Sequence, residues 1–313
     1  MSRKVALVGI GKIARDQHVP SIAASPDWEL AATVSRHGSI DGVEAFADLD
    51  ALLETRPDIE VVSLCLPPVP RYAYAAAALK ASRHVMLEKP PGATLSECHA
   101  LEAMARDAGV SIFATWHSRE AAQVDMARTW LKDKRLHALS VNWKEDVRRW
   151  HPGQDWIWQA GGLGVFDPGI NALSIVTRIL PDPIHLTAAT LEFPENRETP
   201  IAASLTFAHP HGAGISAVFD WRQDGDQIWT IEAVTDAGTL VLTDGGAKLA
   251  INGEARTETD ADGNPLQGEY PRLYAKMADL VREGGIDMDL SPMTHVADAF
   301  LLGRRVAVES FNE

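Results

Sequence analysis

The chain has 313 residues, 46% of them apolar, which suffices for about two domains at roughly 150 residues each and excludes a disordered or fibrous main state. Its 29 basic and 43 acidic residues leave a net charge of −14, which repels phosphate backbones and argues against a nucleic-acid partner. Two cysteines cannot build a disulfide framework, no apolar run reaches the roughly 18 residues of a membrane span, and the apolar stretch 5–10 is too short for a secretion signal, so the expectation is a cytoplasmic protein.

The first third alternates short apolar runs with helical patterns. Strands are expected over 5–8, 30–34, 61–64, 84–87 and 110–114, and helices over 13–24, 71–81 and 95–108, with Thr94 as N-cap of the last. That alternation implies parallel βαβ units. Beyond about residue 120 the pattern changes. A helix over 121–131 and a strand over 138–144 precede a tryptophan-rich loop and a helix over 166–180. Strand-like runs follow at 186–193, 202–207, 215–221, 227–235 and 239–243, then a polar loop over 254–269 and helices over 271–283 and 293–308. Two domains are expected, 1–119 and 120–313, with the last helix able to pack back on the first.

Gly9-Ile10-Gly11-Lys12-Ile13-Ala14 follows the first strand and reads G-x-G-x-x-A, a dinucleotide fingerprint in its required strand-to-helix context. Gly9 permits the tight turn, Gly11 lets backbone approach a pyrophosphate, and the helix N-terminus at Lys12 and Ile13 offers free N–H groups. The fold class is therefore α/β: an N-terminal doubly wound parallel sheet of Rossmann type, then an α+β domain with an open, mostly antiparallel sheet. The second strand ends in Ser35-Arg36-His37, where NAD-specific sites place a carboxylate. A guanidinium there can pair with a 2′-phosphate, so NADP is expected, with NAD accepted. Pro67, after the third strand, and Glu88 and Lys89, after the fourth, lie at the strand ends where such sheets bind ligands.

Glu88-Lys89-Pro90, together with the Gly9 fingerprint, resembles the Gfo/Idh/MocA family of oxidoreductases. The resemblance implies hydride transfer between a nicotinamide and a sugar or polyol carbon. A second mark spans Gly161 to Asn171, where family members pair Asp with His four residues on; this chain has Asp167 and Asn171. An amide cannot take a proton. End to end, the chain is most similar to the bacterial subgroup that oxidises C1 of L-arabinose and D-galactose, in which an Asp-Asn pair is expected. The resemblance implies Asp167 as proton acceptor, Asn171 orienting the C1 hydroxyl or ring oxygen, and Lys89 donating to the same oxygen; a Lys89 base with Asp167 orienting is the alternative.

Trp143, Trp150, Trp156 and Trp158 crowd one segment, either as a platform for a sugar ring or as anchors pinning a loop to the core. Trp150, beside His151, is the best candidate for stacking. Glu145, His151 and His117 are candidate hydroxyl partners. His209 and His211 share a loop without further ligands at useful spacing, so no metal is expected. Cys65 and Cys98 read as buried fillers. The partner expected is a small aldose, with self-association through the open sheet face as a further option. The alternatives are another sugar or polyol oxidoreductase, or an NADP-binding sensor without catalysis.

Overall fold

The computed structural model describes residues 2–36, 38–260, 263 and 266–312. In chain order its elements are β1 (Arg3–Val8), a π-turn (Ala14–His18), α1 (Val19–Ala24), β2 (Trp28–Val34), β3 (Glu44–Phe46), α2 (Leu49–Thr55), β4 (Val61–Leu64), α3 (Pro68–Lys80), β5 (His84–Glu88), α4 (Leu95–Ala108) and β6 (Ile112–Thr115). Next come α5 (Val124–Leu131), β7 (Leu136–Lys144), α6 (Val147–Trp150), α7 (Phe166–Ile179), β8 (His185–Pro194), β9 (Ala202–Ala208), β10 (Gly214–Asp220), β11 (Ile228–Thr235) and β12 (Gly238–Thr243). The last are β13 (Lys248–Ile251), β14 (Glu254–Arg256), α8 (Glu269–Glu283), α9 (Ser291–Leu302) and β15 (Arg304–Val308).

The chain divides into two compact units, one formed by Met1–His117 with Gly268–Leu290, the other by Ser118–Gln267 with Ser291–Glu313. In the first, six parallel strands run in the order β3-β2-β1-β4-β5-β6. Strand order reverses at β1, which pairs with β2 on one side and β4 on the other, and ligands of such sheets bind at that switch point. Strands β4 and β6 are buried along their whole length, as parallel strands covered on both faces must be.

Helix α8 belongs to this first unit, a correction to the expected division at 119/120. Its stripe of Tyr270, Leu273, Tyr274, Met277, Ala278 and Val281 recurs at helical spacing and packs into one core with Val5, Leu7, Ile22, Trp28 and Phe113. The Trp28 indole donates to the Tyr274 carbonyl at 2.9 Å. It is thus the penultimate helix that joins the first unit; α9 packs against α7 and β8 in the second.

The helix expected over 13–24 is interrupted by the π-turn. Pro20 has no N–H, and its ring would clash with the carbonyl of residue 16, so the turn widens and Val19 N–H bonds the Ala14 carbonyl five residues back. The widened turn leaves His18 buried. Two short elements, β3 and α2, had no expectation from sequence. β3 is three largely exposed residues without an apolar face, whereas α2 carries a cap in plain view: Asp48 accepts from Ala51 N–H at 2.8 Å. At α4 the expected Thr94 cap is present as a full capping box with Glu97.

The second unit holds a nine-stranded sheet, β14-β13-β12-β11-β7-β10-β9-β8-β15, antiparallel except for β7 with β10 and β8 with β15. Along β10, Ile215, Ala217 and Phe219 are buried while Gly214, Ser216 and Val218 face outward. The helix expected over 293–308 stops at Leu302. Gly303 ends it, since a Cβ there would lie 2.3 Å from the Ala299 carbonyl oxygen, and the following residues pair with β8 as strand β15. The polar loop expected over 254–269 contains β14 at its start and the first residue of α8 at its end. No helix among the described residues is long and apolar enough to cross a membrane.

Candidate active site

The carboxyl ends of the parallel strands bring the first group of expected residues to one edge of the first unit. Gly9 follows β1 with φ +90°, a conformation that costs L side chains dearly, and a Cβ there would meet Leu66 Cδ2 at 2.9 Å and Leu66 N at 3.1 Å. The protein's own turn therefore requires this glycine. Gly11 differs: an added Cβ would meet nothing within 4 Å. Its backbone stays open to an outside group, as close approach by a pyrophosphate demands, and the residues fit a dinucleotide there. Exposed Ile13 and Lys12 follow, the latter paired with Asp16. Ser35 and exposed Arg36 lie at the end of β2; His37 is outside the described residues. Arg15, without an expectation from sequence, reaches the same end. Its guanidinium donates to the Ser39 carbonyl at 3.1 Å and crowds Gly38, adding a second cation there. Pro67 is exposed at the N-cap of α3, just beyond β4.

Glu88 ends β5 with its carboxylate turned inward, which revises the direct cofactor contact expected of it. Oε1 accepts from the Tyr270 hydroxyl at 2.8 Å and faces His18 Nε2 at 2.9 Å, while Oε2 accepts from the Lys89 backbone N–H at 2.9 Å. His18 Nδ1 in turn meets the Tyr274 hydroxyl at 2.8 Å. Burial opposes ionisation of Glu88, but the His18 hydrogen bond and charge pull its pKa down to about 2. Burial likewise opposes the His18 charge, yet Cys65, Tyr274 and Glu88 around it hold its pKa well above the usual value. The result is a charged pair deep in the unit that fixes the turn carrying half-buried Lys89. Arg71 fixes it from the other side. Its buried guanidinium donates to the carbonyls of Leu66, Glu88 and Pro90, tying the segment after β4 to the one after β5. Neither His18 nor Arg71 was singled out from sequence, because each lies on a helix whose burial only the tertiary fold decides.

His117, expected to meet substrate, bonds Glu269 Oε2 through Nδ1 at 2.6 Å and stacks on Tyr270 with ring centroids 5.6 Å apart. Burial lowers its proton affinity, but the Glu269 carboxylate overrides this and its pKa is raised. Cys98 is buried, and burial pushes its thiol up to about 12, in keeping with a filler.

The remaining expected residues gather in the second unit. Glu145 follows β7, which lies between β10 and β11, so its carboxylate sits between the end of one neighbour and the start of the other. Trp221 Nε1 donates to Oε1 at 3.4 Å and Trp229 Nε1 to Oε2 at 3.0 Å. His151 caps α6 and presents Nε2 to Glu145 Oε1 at 3.9 Å and to Asp167 Oδ2 at 3.5 Å. Its ring lies 5.4 Å from that of Trp221. Asp167 stands in the first turn of α7, only 4% exposed, where the helix dipole favours a carboxylate. Asn171, half-buried, follows one turn later on the same helix face.

Glycines make this placement possible. At Gly164, φ is +54° and a Cβ would lie 2.4 Å from the Pro200 carbonyl oxygen; at Gly169 it would press on the Phe219 ring at 2.9 Å. The N-terminal end of α7 can therefore lie close against the sheet. Of the four tryptophans, Trp143 and Trp158 are core anchors, while Trp150 is 37% exposed, with its Nε1 donating to Gln227 at 3.1 Å. Trp221 and Trp229 were not selected from sequence, since each lies on or beside a strand far along the chain. His209 and His211 both face Asp182, at 3.8 and 3.6 Å; among the described residues no group of three or more side chains is arranged to hold a metal ion.

A parallel sheet of this strand order, with a glycine turn at its switch point, defines a dinucleotide-binding unit. The model of an oxidoreductase family with an NAD-binding Rossmann fold, Gfo/Idh/MocA, matches residues 3–115. A galactose 1-dehydrogenase of Pseudomonas fluorescens is 41% identical over 98% of this chain and 98% of its own length. The crystal structure of a D-galactose-1-dehydrogenase from Rhizobium etli superposes with a TM-score of 0.94 at 54% identity, covering 100% of this chain and 99% of the other. A 3-ketoreductase from Actinomadura kijaniata shares the fold alone, at 19% identity and a TM-score of 0.84 over 98% of this chain and all of its own. The chain belongs to the Gfo/Idh/MocA family of oxidoreductases.

Proposed function

We propose that this protein is an aldose 1-dehydrogenase that oxidises C1 of D-galactose and L-arabinose, as pyranoses, to the lactone, with NADP preferred and NAD accepted. The observation that carries the reading is the buried Asp167 carboxylate, one helical turn from Asn171 and 3.5 Å from His151 Nε2. Full-length similarity to galactose 1-dehydrogenases supports the sugar. Gly9, Gly11, Lys12, Ile13 and Pro67 would hold the dinucleotide, and Ser35 with Arg36 and Arg15 would meet a 2′-phosphate. The cofactor supplies the acceptor for the hydride leaving C1. Asp167 takes the proton of the C1 hydroxyl, Asn171 orients that hydroxyl or the ring oxygen, and Lys89 stabilises negative charge developing on oxygen. Trp150 offers an indole face to the ring. A sensor without catalysis has no need of a buried proton acceptor.

The two sugars share configuration from C1 to C4 and differ by one hydroxymethyl group, worth roughly 1–3 kcal/mol of discrimination. D-Glucose, the C4 epimer of galactose, would leave a polar partner unpaired at a cost of about 1–3 kcal/mol. The test is the initial rate of NADP reduction with each sugar at equal low concentration. Galactose and arabinose should both turn over, with glucose slower by about tenfold or more. Glucose equalling either would refute the assignment.

A further inference from the structure

We infer that Asn196, by clasping the backbone of Phe311, is a positioning residue that holds Asp167 in place for proton transfer. The inference rests on the reading of Asp167 as proton acceptor. Asp167 stands in the first turn of α7, whose N-cap is Val165, a side chain that cannot accept a hydrogen bond. What fixes this end of the helix lies elsewhere. Val165 N–H donates to the Pro200 carbonyl at 2.8 Å, and Asp167 N–H to the Gly164 carbonyl at 2.8 Å. The segment leading into α7 is tied to the two residues before Pro200. Glu198 N–H donates to the Trp158 carbonyl at 3.1 Å, Ala160 N–H to Glu198 Oε2 at 2.8 Å, and Thr199 Oγ1 to the Ile157 carbonyl at 2.9 Å. Residues 198–200 thus carry the entry to α7.

They belong to the connection between β8 and β9, which is held in turn by residues beyond β15. Glu195 N–H donates to the Val308 carbonyl at 3.1 Å. The Asn196 amide pairs with Phe311 in both directions, accepting from its N–H at 2.9 Å and donating to its carbonyl at 3.0 Å. Arg197 Nε donates to the same carbonyl at 3.3 Å. The Phe311 ring then lies 5.8 Å from that of Trp158, which the Arg197 guanidinium also covers at 5.0 Å. Asparagine suits this place because one planar amide presents an acceptor and a donor side by side. Asn196 is exposed, and its effect on Asp167 passes through this chain of bonds.

The test compares the unmodified enzyme with Asn196→Ala, Phe311→Ala and Phe311→Tyr. The first readout, amide hydrogen exchange, requires no activity. In Asn196→Ala the amides over 157–165 should exchange about tenfold faster, while those of β1 and β4 keep their rates. The second is kinetics well below the melting transition. There kcat should fall about tenfold, with sugar KM within about threefold and the NADP dissociation constant unchanged, as for a lost alignment of reacting groups. Phe311→Ala should follow Asn196→Ala, and Phe311→Tyr, which keeps the ring, should match the unmodified enzyme. In an Asp167→Asn background, Asn196→Ala should cost no further activity, since the group it positions is gone. Unchanged exchange over 157–165 overturns the inference. So does faster exchange with normal kcat, which makes the clasp merely structural, or a full tenfold loss in the Asp167→Asn background. Absence of sugar-dependent cofactor reduction in the unmodified protein overturns the functional reading, and is read before any variant is made.

Discussion

His18 Nε2 lies 2.9 Å from Glu88 Oε1, with both side chains nearly sealed from solvent inside the first unit. The pair is made by a π-turn in one helix and the last residue of β5, 70 positions apart. It sets how stability depends on pH. Glu88 has a folded pKa of about 2, below its unfolded value of about 4.3, so its contribution is complete above that value and lost as pH falls toward 2. His18 is raised, so its contribution is complete below about 6.5 and fades as pH climbs through its folded pKa. Urea unfolding across a pH series should show stability falling below about pH 4.3. Glu88→Gln should cost about 3–5 kcal/mol at neutral pH, because it leaves the imidazole partner uncompensated. A flat profile from pH 6 to 3 would contradict the pairing.

The two fingerprint glycines should separate under substitution. Gly9→Ala forces a Cβ onto Leu66 at positive φ and should destabilise by about 1–3 kcal/mol. Gly11→Ala adds a methyl to open space, so stability should stay within about 0.5 kcal/mol, while dinucleotide affinity falls about tenfold or more. Thermal melts alongside fluorescence titration with NADPH distinguish the two. Unchanged affinity in Gly11→Ala would place the pyrophosphate elsewhere.

Asp167→Asn should lower kcat about 10²–10⁴-fold while the dissociation constant for NADP stays near that of the unmodified protein. Near-normal turnover in this variant, together with an inactive Lys89→Ala, would transfer the proton-accepting role to Lys89.

Ser35→Asp puts a carboxylate where a 2′-phosphate would sit, and should move the ratio of kcat/KM for NADP over NAD toward NAD by like-charge repulsion. The unmodified protein should favour NADP. A strong native preference for NAD would show that Arg36 is an ordinary surface cation.

Local chemistry made much of this protein legible beforehand. Apolar runs bounded by turns located β1, β4 and β5 because strands buried on both faces read as continuous hydrophobic stretches. Thr94 announced α4 because its capping box lies within four consecutive residues. Asp167 and Asn171 could be assigned to one helix face by arithmetic on 3.6 residues per turn. At the end of the chain the same reasoning overran, carrying a helix through Gly303 into β15. Strand pairing with β8 is a long-range choice that no window around residue 304 contains.

What only the tertiary structure decided depends on residues distant in sequence meeting inside one unit. Helix α8 joins the first sheet through a stripe that periodicity reveals but cannot aim. Glu88 looked like part of a ligand edge until His18 and Tyr270 were found beneath it. Glu145 and His151 read as hydroxyl-partner candidates in one segment, and only strand order, which sets Trp221 and Trp229 on either side of β7, shows that two indole N–H groups hold the Glu145 carboxylate. Sequence spacing determines which residues share an element and a face. Burial, tautomer and partner are set by what the fold packs against that face, since desolvation and hydrogen-bond geometry act through space and not along the chain.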